Sequence, residues 1–402
     1  IAQCLVGSEM CIRDRPSITW SKISSGSIAF RYKPAGHIFD VAGTSIFASD
    51  DMRQYIHGFC NSKIALKIAR LLSPTLNYEV GHVASFPVIV DPAYKAEVES
   101  IVENNIKISK MDWDSFELSW DFIKHPLVNK GVKTVEAAFK IWEEECNNRF
   151  ETLKKNEESL NRIFIKIYGL EDEMDDKVLD KDVTVRKANL QREIKSLLSY
   201  AVGCMFGRYS LDKSGIAYAG GVWNSKIYKT YIPDQDAIIP ITDEEYLEDD
   251  IIARLCQWLK VVYGKEQLEE NLDYIAKGLG INGETSREII RKYFINDFFA
   301  DHCARCTVGV GGKRPIYWMF ESGKQIAFKA LVYTHRYSAD TIGQIRVDYL
   351  HRMQRVYESE INRMQDTIDN SSNTREVTTA TKRKEKLQKQ IKECREYDEK
   401  IG

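Results

Sequence analysis

The sequence lacks any long apolar run. None of its 402 residues falls in a stretch approaching the roughly 18–20 consecutive apolar side chains that a bilayer-spanning helix needs. No basic flank leads into an apolar core with a cleavage site either, so a soluble protein without a membrane partner is expected. Excess charge of one sign is also missing. Lys and Arg number 57 against 59 Asp and Glu, a formal net charge of −2, which excludes a uniformly basic nucleic-acid binder and confines any positive surface to a local cleft. The nine cysteines are odd in number and scattered through helix-like and core-like contexts. That distribution does not suit a secreted disulfide scaffold and fits a reducing cytoplasm. Common catalytic signatures are missing too: there is no GxxxxGK[ST] phosphate loop, no GxSxG elbow and no HExxH pair. The one metal-like spacing, His302-Cys303-Ala304-Arg305-Cys306, has no second pair to complete four ligands. No metal is expected there, and a helix end with one buried and one incidental cysteine is the simpler reading.

What is present is enough apolar material for two or three domains, at 43% hydrophobic residues. From residue 17 to 47, β-prone runs (Ile18-Thr19-Trp20, Ile28-Ala29-Phe30, Ile38-Phe39-Asp40-Val41) alternate with Gly26, Pro34-Ala35-Gly36 and Gly43, which predicts a small sheet with tight turns. Ser49 before Asp50 and Asp51 marks a helix start. Met52, Ile56, Phe59, Cys60, Ile64, Ile68 and Leu71 then repeat at helical spacing until Pro74. Residues 78–90 read as extended again. The stretch 95–207 is mainly helical, with Val135, Phe139, Trp142, Cys146, Phe150 and Leu153 on one helix face and Leu190, Ile194, Leu197, Leu198 and Ala201 on another. Beyond Gly207 the pattern turns mixed, with helical pieces at 251–263 and 286–303 and strands at 316–320 and 328–333. Leu350, Met353, Tyr357, Ile361, Met364 and Ile368 step by three and four, Asn370-Ser371-Ser372-Asn373 interrupts, and Leu387, Ile391, Cys394 and Ile401 resume. An antiparallel helical hairpin of short arms is expected. The fold class is α+β.

Two places suit contact with nucleic acid. Gly311-Gly312-Lys313-Arg314-Pro315-Ile316-Tyr317-Trp318, followed by Lys324 and His335-Arg336-Tyr337, combines glycines for close approach with cations and aromatics. Its alternative is a hairpin surface with core Tyr and Trp. Arg31-Tyr32-Lys33 with Asn61-Ser62-Lys63 is the second place, and local hydrogen bonding is the alternative for Asn61 and Ser62. The candidate DNA-binding residues are therefore Arg31, Lys33, Asn61, Lys63, Lys313, Arg314, Tyr317, Lys324 and Arg336. The basic run Lys382, Arg383, Lys384, Lys386, Lys389 and Lys392 reads better as the solvated face of the last helix than as a phosphate track.

Longer strings carry a resemblance. FCNSKIALKIARLLSPTLNYEVGHVASFPVI (59–89) resembles the closing part of specificity domains in restriction-modification methyltransferases. DWDSFELSWDFIKHPL (112–127), RFETLKKNEESLNRIFIKIYGL (149–170), DVTVRKANLQREIKSLLSYAVGCMFGRYSLD (182–212) and GGKRPIYWMFESGK (311–324) are similar to the PglX family, adenine-specific DNA methyltransferases of BREX phage defence. The resemblance implies a parent enzyme that moves a methyl group from S-adenosylmethionine to adenine N6 in double-stranded DNA, with other BREX proteins as candidate partners. Such an enzyme needs an Asn/Asp-Pro-Pro-Tyr-type segment and a glycine-containing loop for its cofactor. None of the nine prolines follows another, so no catalytic residue carries over. LVGSEMCIRD (5–14) resembles translated sequencing adapter, with a genuine irregular arm as the alternative; residues 1–15 are expected to be an artefact and the catalytic domain to be missing upstream. The implied layout is the end of a small α/β target-recognition subdomain at 16–94, a helical spacer at 95–206, a mixed α/β subdomain at 207–345 and the hairpin at 346–402. Two other readings remain open. One is the same portion of a single-chain restriction-modification enzyme, and the other is a non-enzymatic docking module for defence proteins.

Overall fold

Short β-prone runs separated by turn residues build the first sheet. In the computed structural model, which describes residues 15–24, 26–38, 40–73, 75–128, 131–308 and 312–402, strands β1 (Ser17–Ser21), β2 (Arg31–Lys33) and β3 (Gly43–Ile46) pair antiparallel in the order β2-β1-β3. The adapter-like residues 5–14, Phe39, Pro74 and Gly311 lie outside the described residues. The second and third strands begin later than the apolar runs suggest. Ile28 and Phe30 are buried just ahead of β2, whereas Ile38 and Val41 are exposed, so the strand falls on Gly43–Ile46. The expected single helix after Ser49 is two, α1 (Arg53–Cys60) and α2 (Lys63–Leu72). Ser62 breaks the run because its Oγ accepts a hydrogen bond from the Ala65 amide at 3.3 Å and caps the second helix. Residues 78–90, expected to be extended, contain the short helix α3 (Val80–Ala84), capped reciprocally by Glu79 and His82.

Contacts divide the chain into two units, Ile1–Trp113 with Glu144–Lys187, and Asp114–Glu143 with Ala188–Gly402. In the first, helices α4 (Pro92–Asp114) and α5 (Val135–Ile167) contribute Val98, Val102, Leu160 and Phe164 to a core that also holds Ile18, Trp20, Tyr55 and Phe59. A Cβ on Gly58 would lie 2.9 Å from Val102, so α1 and α4 approach closely only because this position carries none. The α5 stripe from Val135 to Leu153 is buried throughout, as its spacing predicts.

The second unit is built on α6 (Leu190–Phe206), which Asn189 caps by accepting from the Arg192 amide and Gly207 terminates with φ of 78°. A ribbon of β4 (Tyr209–Ser210) and β5 (Lys213–Ile216) follows, then β6 (Ile238–Pro240). Helices α7 (Ile251–Tyr263), α8 (Leu268–Leu279), α9 (Ser286–Asn296) and α10 (Phe298–Arg305) surround α6. Sequence spacing missed α8 altogether and merged α9 with α10. Asp250 starts α7 by accepting from the Ile252 amide, and its buried carboxylate receives both Arg291 guanidinium nitrogens at 2.8 Å.

Strands β7 (Thr307–Val308) and β8 (Gly312–Lys313) form a ribbon, and β9 (Tyr317–Glu321) and β10 (Lys329–Tyr333) complete a sheet in the order β6-β10-β9. Tyr317 and Tyr333 face α6, with their rings 5.1 and 5.9 Å from Phe206. The other face, with Ala330, Val332 and Ile238, packs on the C-terminal helices. These are the short α11 (Thr341–Gln344), a π-helical turn at Ile345–Leu350, and the long α12 (His351–Asn370) and α13 (Thr374–Ile401). The last two form the expected hairpin, antiparallel because Arg346 pairs with Asp398 and Arg395 with Glu358. Its arms are 20 and 28 residues, longer than expected. All ladder pairings in the described residues are antiparallel, so the architecture is mixed, mainly helical with small separate sheets, consistent with α+β. Among the described residues no helix is long and apolar enough to cross a membrane.

Candidate nucleic-acid interface

Period-two alternation gives the β2-β1-β3 sheet two unlike faces. Ile18 and Trp20 point to the core. Their neighbours Ser17, Thr19 and Ser21 share the opposite face with Arg31 and Lys33 of β2 and Ser45 of β3, since paired residues Ser17 with Lys33, Thr19 with Arg31 and Thr19 with Ser45 point the same way. On that face Ser17 is fully buried, the Ser45 hydroxyl is buried and the Thr19 hydroxyl donates to the Thr44 carbonyl at 2.7 Å, so its accessible groups are Ser21, Arg31 and the half-buried Lys33. Beside it lies a depression of about 240 Å³ lined by Ser21, Ile23, Ser24, Ser27, Ala29 and Arg31. Arg70 reaches its rim and donates to Ser27 Oγ at 2.9 Å. Arg31 and Arg70 are exposed and Lys33 is half-buried. Burial lowers the Lys33 pKa, and Asp40 opposes that shift.

Asn61 explains why Arg31 stands where it does. Its Oδ1 accepts from the Phe30 amide at 3.0 Å, and its Nδ2 donates to the Phe30 carbonyl at 3.0 Å and the His57 carbonyl at 3.1 Å. The amide thus pairs with both backbone groups of the residue that precedes β2. His57 Nε2 lies 3.0 Å from the same carbonyl, and burial lowers its pKa, so the ring is neutral and donates there. Asn61 is therefore a positioning residue rather than a free amide. Lys63 is half-buried and also engaged: its Nζ is 2.7 Å from the Asp175 carboxylate and donates to the Asp175 carbonyl at 3.1 Å.

In the second unit the candidates separate. Lys313 lies on β8 with its side chain outside the described residues. Arg314 is exposed, and its amide donates to the Cys306 carbonyl at 3.0 Å. Tyr317 is 1% exposed and packed on His302 at 4.6 Å, so its ring belongs to the core. Lys324 is exposed but sits at the β9–β10 turn, where Glu393 accepts from Ser322 Oγ and the Gln325 and Ala327 amides. That is the far end of β9 from Arg314. Arg336 is half-buried and spends its guanidinium on protein: Nη1 donates to the Asp234 carbonyl at 2.7 Å, Nη2 to the Gln235 carbonyl at 2.6 Å, and the group lies 4.2 Å over the Trp223 ring. Near Arg314 the surface instead carries Trp318 and Tyr337, both partly exposed and in edge contact at 5.0 Å. Trp318 and Tyr337, expected only as aromatic companions of the cations, are the partly exposed rings of this surface, and no sequence pattern marks Arg70.

The metal-like string resolves into packing. His302 Nε2 accepts from the Ile316 amide at 3.0 Å, and burial, followed by Arg305 and Arg208, lowers the ring's pKa to about 4. Cys303 and Cys306 are half-buried at the end of α10. Among the described residues no three His, Cys, Asp or Glu side chains are grouped to hold a metal. The basic run of α13 divides: Arg383 and Lys386 pair with Asp243 of the second unit's own loop, and Arg383 with Glu244.

No family model matches the chain. It is 43% identical over 396 residues to an adenine-specific methyltransferase PglX from Lacticaseibacillus casei (strain Zhang), an alignment covering 96% of this chain and 32% of that protein. It is 34% identical over 417 aligned positions to an adenine-specific methyltransferase BrxX from Escherichia coli O9:H4 (strain HS), covering 95% of the chain and 33% of the relative. The chain thus spans about a third of the length of the curated relatives it matches. The resemblance read from the strings at 112–127, 149–170, 182–212 and 311–324 holds: the chain corresponds to one stretch of PglX-like methyltransferases.

Proposed function

We propose that this chain is the DNA-gripping portion of a PglX-like adenine-specific DNA methyltransferase whose methyl transfer is performed elsewhere in the parent polypeptide. In the cytoplasm, such a parent marks host DNA at adenine N6, so that a BREX system treats unmarked phage DNA as foreign. The observation that carries the reading for this chain is the pair of cations, Arg31 and Lys33, that β2 places on one face of the first sheet beside exposed Ser21. Arg31 and Lys33 supply charge for phosphate or base edges, Ser21 supplies a short hydrogen-bonding group, and Asn61 holds β2 in register. A near-neutral chain can bind DNA through such a local surface. In this reading 16–94 ends a target-recognition subdomain, 95–206 is a helical spacer, 207–345 offers Arg314 as a second contact, and the hairpin closes the chain.

S-adenosylmethionine does not fit the residues present. Its usual cradle is a glycine loop between a parallel strand and a helix, and every strand pairing described here is antiparallel. No catalytic step is therefore assigned to this chain. The test is affinity for short duplex DNA at low salt, by fluorescence anisotropy. Binding that weakens markedly in Arg31→Ala and Lys33→Ala is expected, and a purified chain with no duplex affinity would remove the assignment.

A docking role has one observation in its favour. Trp120 is 96% exposed, with Leu118 and Ile123 also exposed nearby in sequence. Co-purification with another defence-system protein that survives high salt and nuclease supports docking as the main role.

A further inference from the structure

A single exposed valine is ordinary on a protein surface. A valine held at the tip of a turn clamped on both sides is not. Val222 is 94% exposed and follows Gly220 and Gly221, with φ of 105° and 85°. Both glycines adopt the left-handed region that other residues avoid. Immediately before the tip, Tyr218 Oη donates to the Gly221 carbonyl and to the His335 carbonyl, each at 3.2 Å. Immediately after it, Trp223 stacks on Tyr228 with centroids 5.0 Å apart and planes 18° from parallel, while Arg336 covers the same indole at 4.2 Å. Gly207 makes room for that indole, since a Cβ there would lie 2.5 Å from Trp223. Lys213, Lys226 and Lys229, on the segments that precede and follow the turn in sequence, are exposed. The Asp212 carboxylate, next to Lys213, accepts from the Lys229 and Thr230 amides at 2.8 Å.

We propose that this turn is a wedge: Val222 enters a base step of duplex DNA that has been opened, while the lysines hold the flanking phosphates. The inference rests on the DNA-gripping reading and deepens it. Methylation of adenine N6 requires the target base to leave the stack, and an apolar side chain inserted at a step offsets part of the lost stacking. Rigidity matters because a clamped turn gives up little conformational freedom on insertion. The same geometry accounts for the rest of the turn: the two glycines keep the backbone narrow enough to approach the groove, and the Trp223 stack prevents the tip from folding back.

The experiment compares the affinity of the chain for a short duplex with one central abasic position and for its fully paired counterpart, across a salt series. In the abasic duplex the step is already open, so the wild-type chain should prefer it by about tenfold. Val222→Ala should abolish that preference and Val222→Leu should keep it. Both variants should melt at the same temperature as the wild type, which shows that the turn still folds. Equal affinity of the wild type for the two duplexes, or a preference that persists in Val222→Ala, overturns the wedge while leaving DNA gripping intact. Absence of salt-sensitive binding to either duplex removes the DNA reading and the wedge with it.

Discussion

Arg336 separates a structural from a DNA-contacting arginine, and its replacement by Ala gives a quantitative outcome. The guanidinium makes two short charge-assisted bonds, to the Asp234 and Gln235 carbonyls, and a third of 3.4 Å to the Phe206 carbonyl. Hydrogen bonds to charged groups contribute about 1.5–3 kcal/mol when buried, and this side chain is only half-buried, so the lower end applies. The contact over Trp223 adds roughly 0.5–1 kcal/mol. The sum is a loss of about 3.5–4 kcal/mol from the second unit, roughly a 7–16 °C fall in its melting temperature at the scale expected for a domain of this size. Arg336→Lys keeps the charge but cannot bridge the acceptors as a planar fork, so its melting point should lie between the two. Thermal unfolding followed by circular dichroism, with DNA affinity measured alongside, checks this. If Arg336→Ala melts like the wild type and loses duplex affinity, the side chain is a DNA contact and the structural account of it is wrong.

Three further outcomes follow from particular contacts. Asp250→Ala leaves Arg291 buried without its carboxylate and uncaps α7, so urea unfolding should show a loss of about 3–5 kcal/mol; a loss under about 1 kcal/mol contradicts the geometry. Asn61→Ala removes the clamp on Phe30, costing the first unit about 1–3 kcal/mol and weakening duplex affinity less than Arg31→Ala does; an equal loss of affinity would make Asn61 itself a contact. The Asp234 carboxyl is pushed up to about 7 by burial, then by the hydrogen bond and charge of Asp236. Because the folded value exceeds the unfolded value of about 3.9, the folded state holds the extra proton between them, and the associated stability falls as pH rises towards 7. Asp234→Asn should flatten this fall between about pH 4 and pH 7, and melting curves that keep the wild-type slope would contradict it.

The periodic elements were legible because burial enforces their pattern. Val135 to Leu153, Leu190 to Ala201 and the final hairpin all place their apolar stripes inward. What sequence spacing could not show was decided by single polar groups or by the partner surface. Ser62 divides one apparent helix into two through a cap. Helix α8 was hidden in an acidic stretch whose Leu268, Leu272, Ile275 and Leu279 are buried all the same. Residues 80–84 became helical because Glu79 and His82 cap each other. For the candidate interface, the residue types at Arg31, Lys33 and Arg314 indicated charge at the surface. Asn61 and Arg336 look identical in sequence to base-reading side chains, and only the backbone groups they meet reveal a positioning role. Tyr317 is fixed by the register of β9 on β10, which points it to α6.

The central claim is that this chain grips DNA through charge on one sheet face. Its most direct test is the dependence of duplex affinity on salt, compared between the wild type and the Arg31→Ala/Lys33→Ala double variant. Each lost phosphate contact removes about 0.9 from the slope of log affinity against log salt, so the slope should become shallower by roughly 2 when both cations are removed. Salt-independent binding, or an identical slope for the two proteins, would contradict the account.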